Sequence, residues 1–296
     1  MKIVKLDGDL TLTYSWSNNN HGICGHTFEV IEYYFILKDF FDTNILLCED
    51  ITPEIFKSAI EDKYDFTKEE IADILNNTKF INRPILLKGK NILFVDGGII
   101  NTNNYTLLFD NIFYFACGNK EVKHNNKNNV YILQDDRVYE PVVKNGINYK
   151  KKLLFDRMKP IKNNKTANLI YVTKNCRDIN DEVFKELEKT YDGNFLYLGN
   201  EEKYTSNRFK FMKMPVRNLF SEFDTYIYTE VPRHFDCSPR FIAECKYYDK
   251  KVIYHNIYYL EEDLGLKWRK YDIENDFNSL FLTKDDDLIP IIKSII

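Results

Sequence analysis

Short apolar runs alternate along this chain with stretches of helical periodicity, and that alternation constrains the fold more than any other feature. In the second half NLIYVT reads as a strand, TKNCRDIN as a polar loop and DEVFKELEKTY as a helix. GNFLYLGN, FKFMKMPV, DTYIYTE and KKVIYHN read as further short strands, the last preceded by a helix in SPRFIAECKYY. Strands separated by helices cannot pair as hairpins. Each returns to the same end of the sheet before it starts, which gives βαβ units and a parallel sheet.

The first half carries the same alternation less cleanly. Lys2 to Lys5 reads as a strand, and LTLTYSW as a second strand or its continuation. After the polar loop SNNNHGICGH comes an apolar and aromatic helix, TFEVIEYYFILKDFF, with Phe28, Ile31, Tyr34 and Phe35 at helical spacing. NILLCED is a buried-type strand. ITPEIFKSAIEDKY is a helix with Thr52 as N-cap and Pro53 at its first position. KEEIADILNNT is a further helix, and NILFVDGG, YTLLFDNIFYFAC and NNVYILQD are strands. From about Asn145 to Lys165 the chain turns basic and loses sustained apolar runs, and the domain boundary is placed there. The expected fold is α/β: two Rossmann-like domains with a cleft between them. They span residues 1–160 and 161–275, and a helical tail over 276–296 packs back.

Charge and cysteine usage narrow the classes of function. A net charge of -4 over 296 residues gives no basic footprint, so holding nucleic acid is not the expected main task, although a local patch remains compatible with it. The six cysteines, Cys24, Cys48, Cys117, Cys176, Cys237 and Cys245, are scattered and form no CxxC pair. That argues against a disulfide framework or a zinc site and for a reducing, cytoplasmic setting. MKIVKLDGDL lacks the apolar core of a signal peptide, and no apolar run approaches the ~20 residues of a membrane span.

The stretch HFDCSPRFIAECKYYDKKVIYH carries the most chemistry. A buried strand, TYIYT, leads through a polar turn to a helix that starts near Ser238 or Pro239. Ser238 suits the N-cap and Pro239 the first helical turn. Free N–H groups at such a start attract an anion, and Arg240 adds a forked donor for phosphate. Glu244 is expected two turns from Asp236 and facing the same cleft, where a carboxylate suits two ribose hydroxyls.

The stretch resembles the donor-site segment of GT-B glycosyltransferases that use nucleotide sugars. Those enzymes carry an acidic residue, seven residues, then a glutamate, followed by a short strand. The spacing here is Asp236-CSPRFIA-Glu244. The first position is Asp rather than the usual Glu, the glycine often found after it is absent, and Asp249 replaces the usual glycine before the strand. The resemblance implies a metal-independent, cofactor-free transferase, leaning to the retaining branch, with a UDP- or GDP-linked sugar as co-substrate. In such enzymes a loop after the first strand of the second domain carries cations for the diphosphate, which here points to Lys174 and Arg177. A glycine-containing loop in the first domain faces the cleft, which points to His21, Gly22, Gly25 and His26.

Other residues keep two readings. Asp96 follows NILFV at the end of a strand, where open α/β sheets bind ligands, and with His26 is a candidate catalytic base; it also fits a turn aspartate. Lys174 and Arg177 also fit a solvated loop, and Gly22 and Gly25 a loop needing positive φ. His21, His26 and His234 lack a carboxylate partner at metal-site spacing and read as polar loop histidines. Asp7-Gly8-Asp9 is a DxD read as a turn, and Asp285 to Asp287 as an acidic helix start. The Asn-rich, AT-biased composition suits a virus or phage. The acceptor would then be hydroxymethylated pyrimidine in DNA, faced by Lys150, Lys151, Lys152, Arg157, Lys159, Lys162 and Lys165. A surface glycan or lipid acceptor, or a non-catalytic nucleotide-binding module, is the alternative.

Overall fold

The computed structural model describes residues 2–14, 23–48, 51–81, 85–95, 105–116, 129–133, 146–162, 165–171, 181–198, 202, 204–214, 216–229, 240–255 and 264–296. The chain divides into two units. The first comprises Met1–Met158 with Asn278–Ile296, and the second Lys159–Phe277. Both are α/β with wholly parallel sheets.

The sheet of the first unit has eight strands: β1 (Lys2–Lys5), β2 (Leu10–Thr13), β3 (Thr43–Cys48), β4 (Thr78–Ile81), β5 (Ile85–Phe94), β6 (Tyr105–Ala116), β7 (Asn129–Leu133) and β8 (Gly146–Asn148). Their order is β4-β3-β2-β5-β6-β7-β8. The chain starts in the middle, winds out through β3 to β4, crosses back to β5 and winds out the other way. β1 and β2 lie along the same edge of β5, against Ile85–Lys88 and Ile92–Phe94 respectively. They are one strand line broken by the Asp7-Gly8-Asp9 turn. Gly8 has φ +101, and a Cβ there would stand 2.6 Å from Asn44 Nδ2, so only glycine fits. Lys90 donates to Asp9 Oδ1 at 2.8 Å and Asn91 Nδ2 to the Asp9 carbonyl at 2.7 Å, which pins the turn to β5.

The second unit repeats the winding with β9 (Asn168–Tyr171), β10 (Phe195–Leu198), β11 (Phe209–Met212), β12 (Thr225–Thr229) and β13 (Lys251–His255), in the order β11-β10-β9-β12-β13. Phe184, Leu187, Phe195, Tyr197, Phe209, Ile170 and Ile227 form its core under α4 (Asp181–Thr190).

α1 (Gly25–Leu37) is buried on nearly every side, as its unbroken apolar and aromatic sequence requires. Its two acidic residues are therefore buried and partnered. Glu32 accepts from Tyr64 Oη at 2.6 Å, and Glu29 belongs to the network described below. α2 (Pro53–Lys63) starts on the Thr52 cap. α3 (Lys68–Asn76) starts on a reciprocal cap in which Thr67 N donates to Glu70 Oε2 and Glu70 N to Thr67 Oγ1. Arg157 donates to both oxygens of Glu70, at 3.1 and 2.9 Å, while its guanidinium lies over Phe35 and Phe66. α5 (Val216–Leu219), α6 (Arg240–Tyr247), α7 (Leu264–Asn275) and α8 (Leu288–Ile295) are the other α-helices among the described residues. Among the described residues no helix is long and apolar enough to cross a membrane.

The returning segment 278–296 is fastened to the first unit by backbone and side chains. Leu153 N and Leu154 N donate to the Leu280 carbonyl, and Leu282 N to the Leu154 carbonyl. Asp287 is the N-cap of α8, but Asp286 supplies the carboxylate: its Oδ1 accepts from Leu288 N at 2.9 Å and from Tyr149 Oη at 2.6 Å. Oδ2 is buried with no hydrogen-bond partner among the described residues.

Burial pushes the Asp286 carboxyl above its ordinary value, against the two hydrogen bonds that pull it down. A carboxyl raised by folding binds its proton more tightly in the native chain. Its contribution to stability is present below the unfolded midpoint and lost as pH rises through the folded one. Asp286→Asn keeps an oxygen for Tyr149 and Leu288 and removes the buried charge. It is expected to raise Tm by about 2 °C at pH 7, with the gap closing as pH falls through the raised midpoint in fluorimetric melts.

Candidate functional site

In each sheet the winding direction reverses at one central pair of strands, β2/β5 in the first unit and β9/β12 in the second. At such a reversal point the carboxyl ends of the strands are where open α/β sheets generally bind ligands.

In the second unit β9 and β12 run side by side, with Asn168 against Thr225 and Leu169 against Tyr226. β9 ends at Tyr171 and β12 at Thr229. Lys174 and Arg177 follow β9 in sequence, and His234, Asp236, Ser238 and Pro239 follow β12; all six lie outside the described residues. The described chain resumes at Arg240, the first residue of α6. Arg240 Nε donates to Glu244 Oε1 at 2.7 Å, one helical turn on, with the side chains 11% and 5% exposed. The expected phosphate donor is thus first a brace for the expected ribose carboxylate. An ionised carboxylate has room for about four donors, so this pairing fixes the rotamer of Glu244 without exhausting it. The neighbouring Cys245 is buried, which pushes its thiol well above its ordinary value; Glu244 adds to the shift. It is a packing residue, not a nucleophile.

α6 ends on an unusual residue. Tyr248 N donates to the Glu244 carbonyl and Lys250 N to that of Cys245, which closes the last turn. Asp249 between them has φ 54, in the left-handed region. The backbone here takes a conformation that glycine adopts without cost, and at a helix end glycine is the usual residue for it.

In the first unit His21 and Gly22 follow β2, and Asp96 follows β5; all three lie outside the described residues. Gly25 opens α1 without positive φ, and a Cβ there would meet nothing within 4 Å. Packing does not demand this glycine. Cys24 is the N-cap, extended, with its backbone N–H donating to Thr27 Oγ1 at 3.1 Å. Next comes His26, 37% exposed, whose Nδ1 lies 2.9 Å from Glu29 Oε2. The same oxygen accepts from Lys151 Nζ at 2.7 Å, and Lys151 also donates to the Val95 carbonyl at 2.6 Å. Lys151 is 1% exposed and its ammonium lies 5.4 Å from the Phe115 ring centre. Val95 N is bonded to the Thr13 carbonyl, so the network sits on the carboxyl ends of β2 and β5, beside the residue that precedes Asp96.

One correction follows. Lys151 cannot face DNA, because it is buried in the first unit. Arg157 is engaged by Glu70 and two aromatic rings. The residues that sequence reasoning missed, Glu29 and Lys151, left one local sign: two glutamates inside an otherwise apolar helix require buried partners. An ionised Glu29 can only accept, so it orients the imidazole with Nδ1–H towards it, an orientation suited to an acid–base group.

No protein-family model, curated protein or solved structure matches this chain.

Asp249→Gly is expected to stabilise the protein by about 0.5–1 kcal/mol, because an L-residue pays about 1–2 kcal/mol in this conformation and glycine does not. Asp249→Val is expected to destabilise by at least as much. Denaturant midpoints at constant slope measure both.

Proposed function

We propose that the chain is a metal-independent GT-B-type glycosyltransferase that binds a UDP- or GDP-linked sugar mainly through its second unit. What supports this reading above all is position. The Asp236-x7-Glu244 segment follows β12, one of the two strands between which the second sheet reverses, and its glutamate is buried and braced by Arg240. Glu244 receives the ribose hydroxyls, Asp236 the sugar or phosphate edge, and Lys174 and Arg177 neutralise the departing diphosphate. That is electrostatic stabilisation where charge develops. His26 or Asp96 in the first unit accepts the proton of the attacking hydroxyl.

The acceptor is a hydroxyl on a glycan or lipid, or hydroxymethylated pyrimidine in DNA. Of the basic residues that suggested DNA, Lys151, Arg157 and Lys165 are paired with Glu29, Glu70 and Glu222. The segment offers phosphate fewer cations than its letters suggest, which favours the glycan or lipid. A gel shift with hydroxymethylated duplex across a salt series separates the two, since phosphate contacts weaken steeply with salt.

A thermal-shift screen of nucleotide sugars is expected to raise Tm with one UDP- or GDP-linked donor, and calorimetry to show Glu244→Gln weakening that donor at least ~tenfold, about 1.4 kcal/mol. EDTA leaves binding unchanged. Slow hydrolysis of the bound donor distinguishes a transferase from a non-catalytic module. A uniformly negative screen, or equal affinity of wild type and Glu244→Gln, sinks the proposal.

A further inference from the structure

The proposed transfer uses His26 but leaves unexplained why a lysine is buried behind it. Lys151 comes from the segment after β8, and its partner Glu29 lies 122 residues earlier. Both His26 and Lys151 bond to the same carboxylate oxygen, Oε2, so imidazole and ammonium face each other across one atom. Glu29, the Val95 carbonyl and the face of Phe115 all hold the ammonium.

We infer that Lys151 is a positioning residue for His26, which neutralises Glu29 so that the carboxylate orients the imidazole without holding it as imidazolium. The inference rests on the reading of His26 as the base. A buried carboxylate alone beside a histidine favours the charged ring, and a charged ring cannot accept a proton. A lysine on the same oxygen offsets the carboxylate's charge while the bond to Nδ1 is kept. The ring stays oriented and the pull towards its charged form is weakened, as a base requires.

Among the described residues, the other groups near the ring are not cations. Tyr14, just after β2, lies beside His26 with ring centres 6.4 Å apart, and Cys24 caps the helix that carries it. Behind Lys151 stands Tyr33, whose hydroxyl burial pushes well above its ordinary value and which feels the charges of Lys151, Asp286 and Glu29, with Tyr149 beside it. Of these groups Lys151 alone is a cation in contact with Glu29. The Val95 bond gives a second link, because it ties the same ammonium to the residue preceding Asp96.

The test reads the ring directly. In the 15N-labelled full chain, long-range proton–nitrogen spectra report tautomer and titration midpoint for each of the five histidines, and His26→Gln assigns the signal. The wild-type ring is expected as the Nδ1–H tautomer. Lys151→Met is expected to move the His26 midpoint up by about one unit and Glu29→Gln to move it down by about one unit, with the double variant returning towards wild type. If circular dichroism shows Lys151→Met unfolded, Glu29→Gln carries the test. An unmoved midpoint in the folded single variants, or an Nε2–H wild-type ring, overturns the inference. Failure of the glycosyltransferase reading looks different: the midpoints shift as expected, yet His26→Gln leaves donor hydrolysis and transfer unchanged.

Discussion

The buried ion pair between Lys151 and Glu29 is the contact on which the first unit most depends. It joins a helix, the end of a central strand and a segment far away in sequence. Such a pair is not a cheap source of stability, because both charges lose water and their attraction only partly repays the loss. Its value is specificity. Once both ions are buried, neither helix register nor strand end can shift without leaving one unpaired, at about 3–5 kcal/mol. Glu32 with Tyr64, Arg157 with Glu70, and Asp286 with Tyr149 repeat the device in weaker form. The first unit is therefore an apolar interior whose alignment is set by a few polar contacts of long sequence separation.

Those contacts are also why the sequence is readable in parts. The strands NILLC, NILF, NLIY, FLYL, TYIYT and KVIYH and the helix α1 announce themselves by composition and period. The turn at Gly8 is legible as DGD. β4 (TKFI) and β8 (GIN) hold few apolar residues, and their pairing comes from neighbours. The basic run after Asn145 reads as a solvated connector because lysines usually are. Nothing near Lys151 tells that it lies in a core, since its partner stands on α1. At the second unit the Arg240–Glu244 pair is implicit in the i, i+4 spacing, but its burial is not.

The carboxyl ends of the two central strand pairs carry different chemistry. At β2/β5 the described groups are an imidazole, a carboxylate and an ammonium in one hydrogen-bonded line, suited to moving a proton. At β9/β12 the described groups are a guanidinium and a carboxylate, suited to holding hydroxyls or phosphate.

The first unit is discontinuous, with 278–296 returning after the whole second unit. That imposes an order on synthesis. As the chain emerges, the amides of Leu153 and Leu154 wait without the Leu280 carbonyl, and Tyr149 waits for Asp286. The second unit, contiguous from Lys159 to Phe277, has all its strands before that point. Nascent domains usually mature from the amino terminus onward; here the later unit is positioned to finish first, and the earlier one closes only when its last stretch arrives.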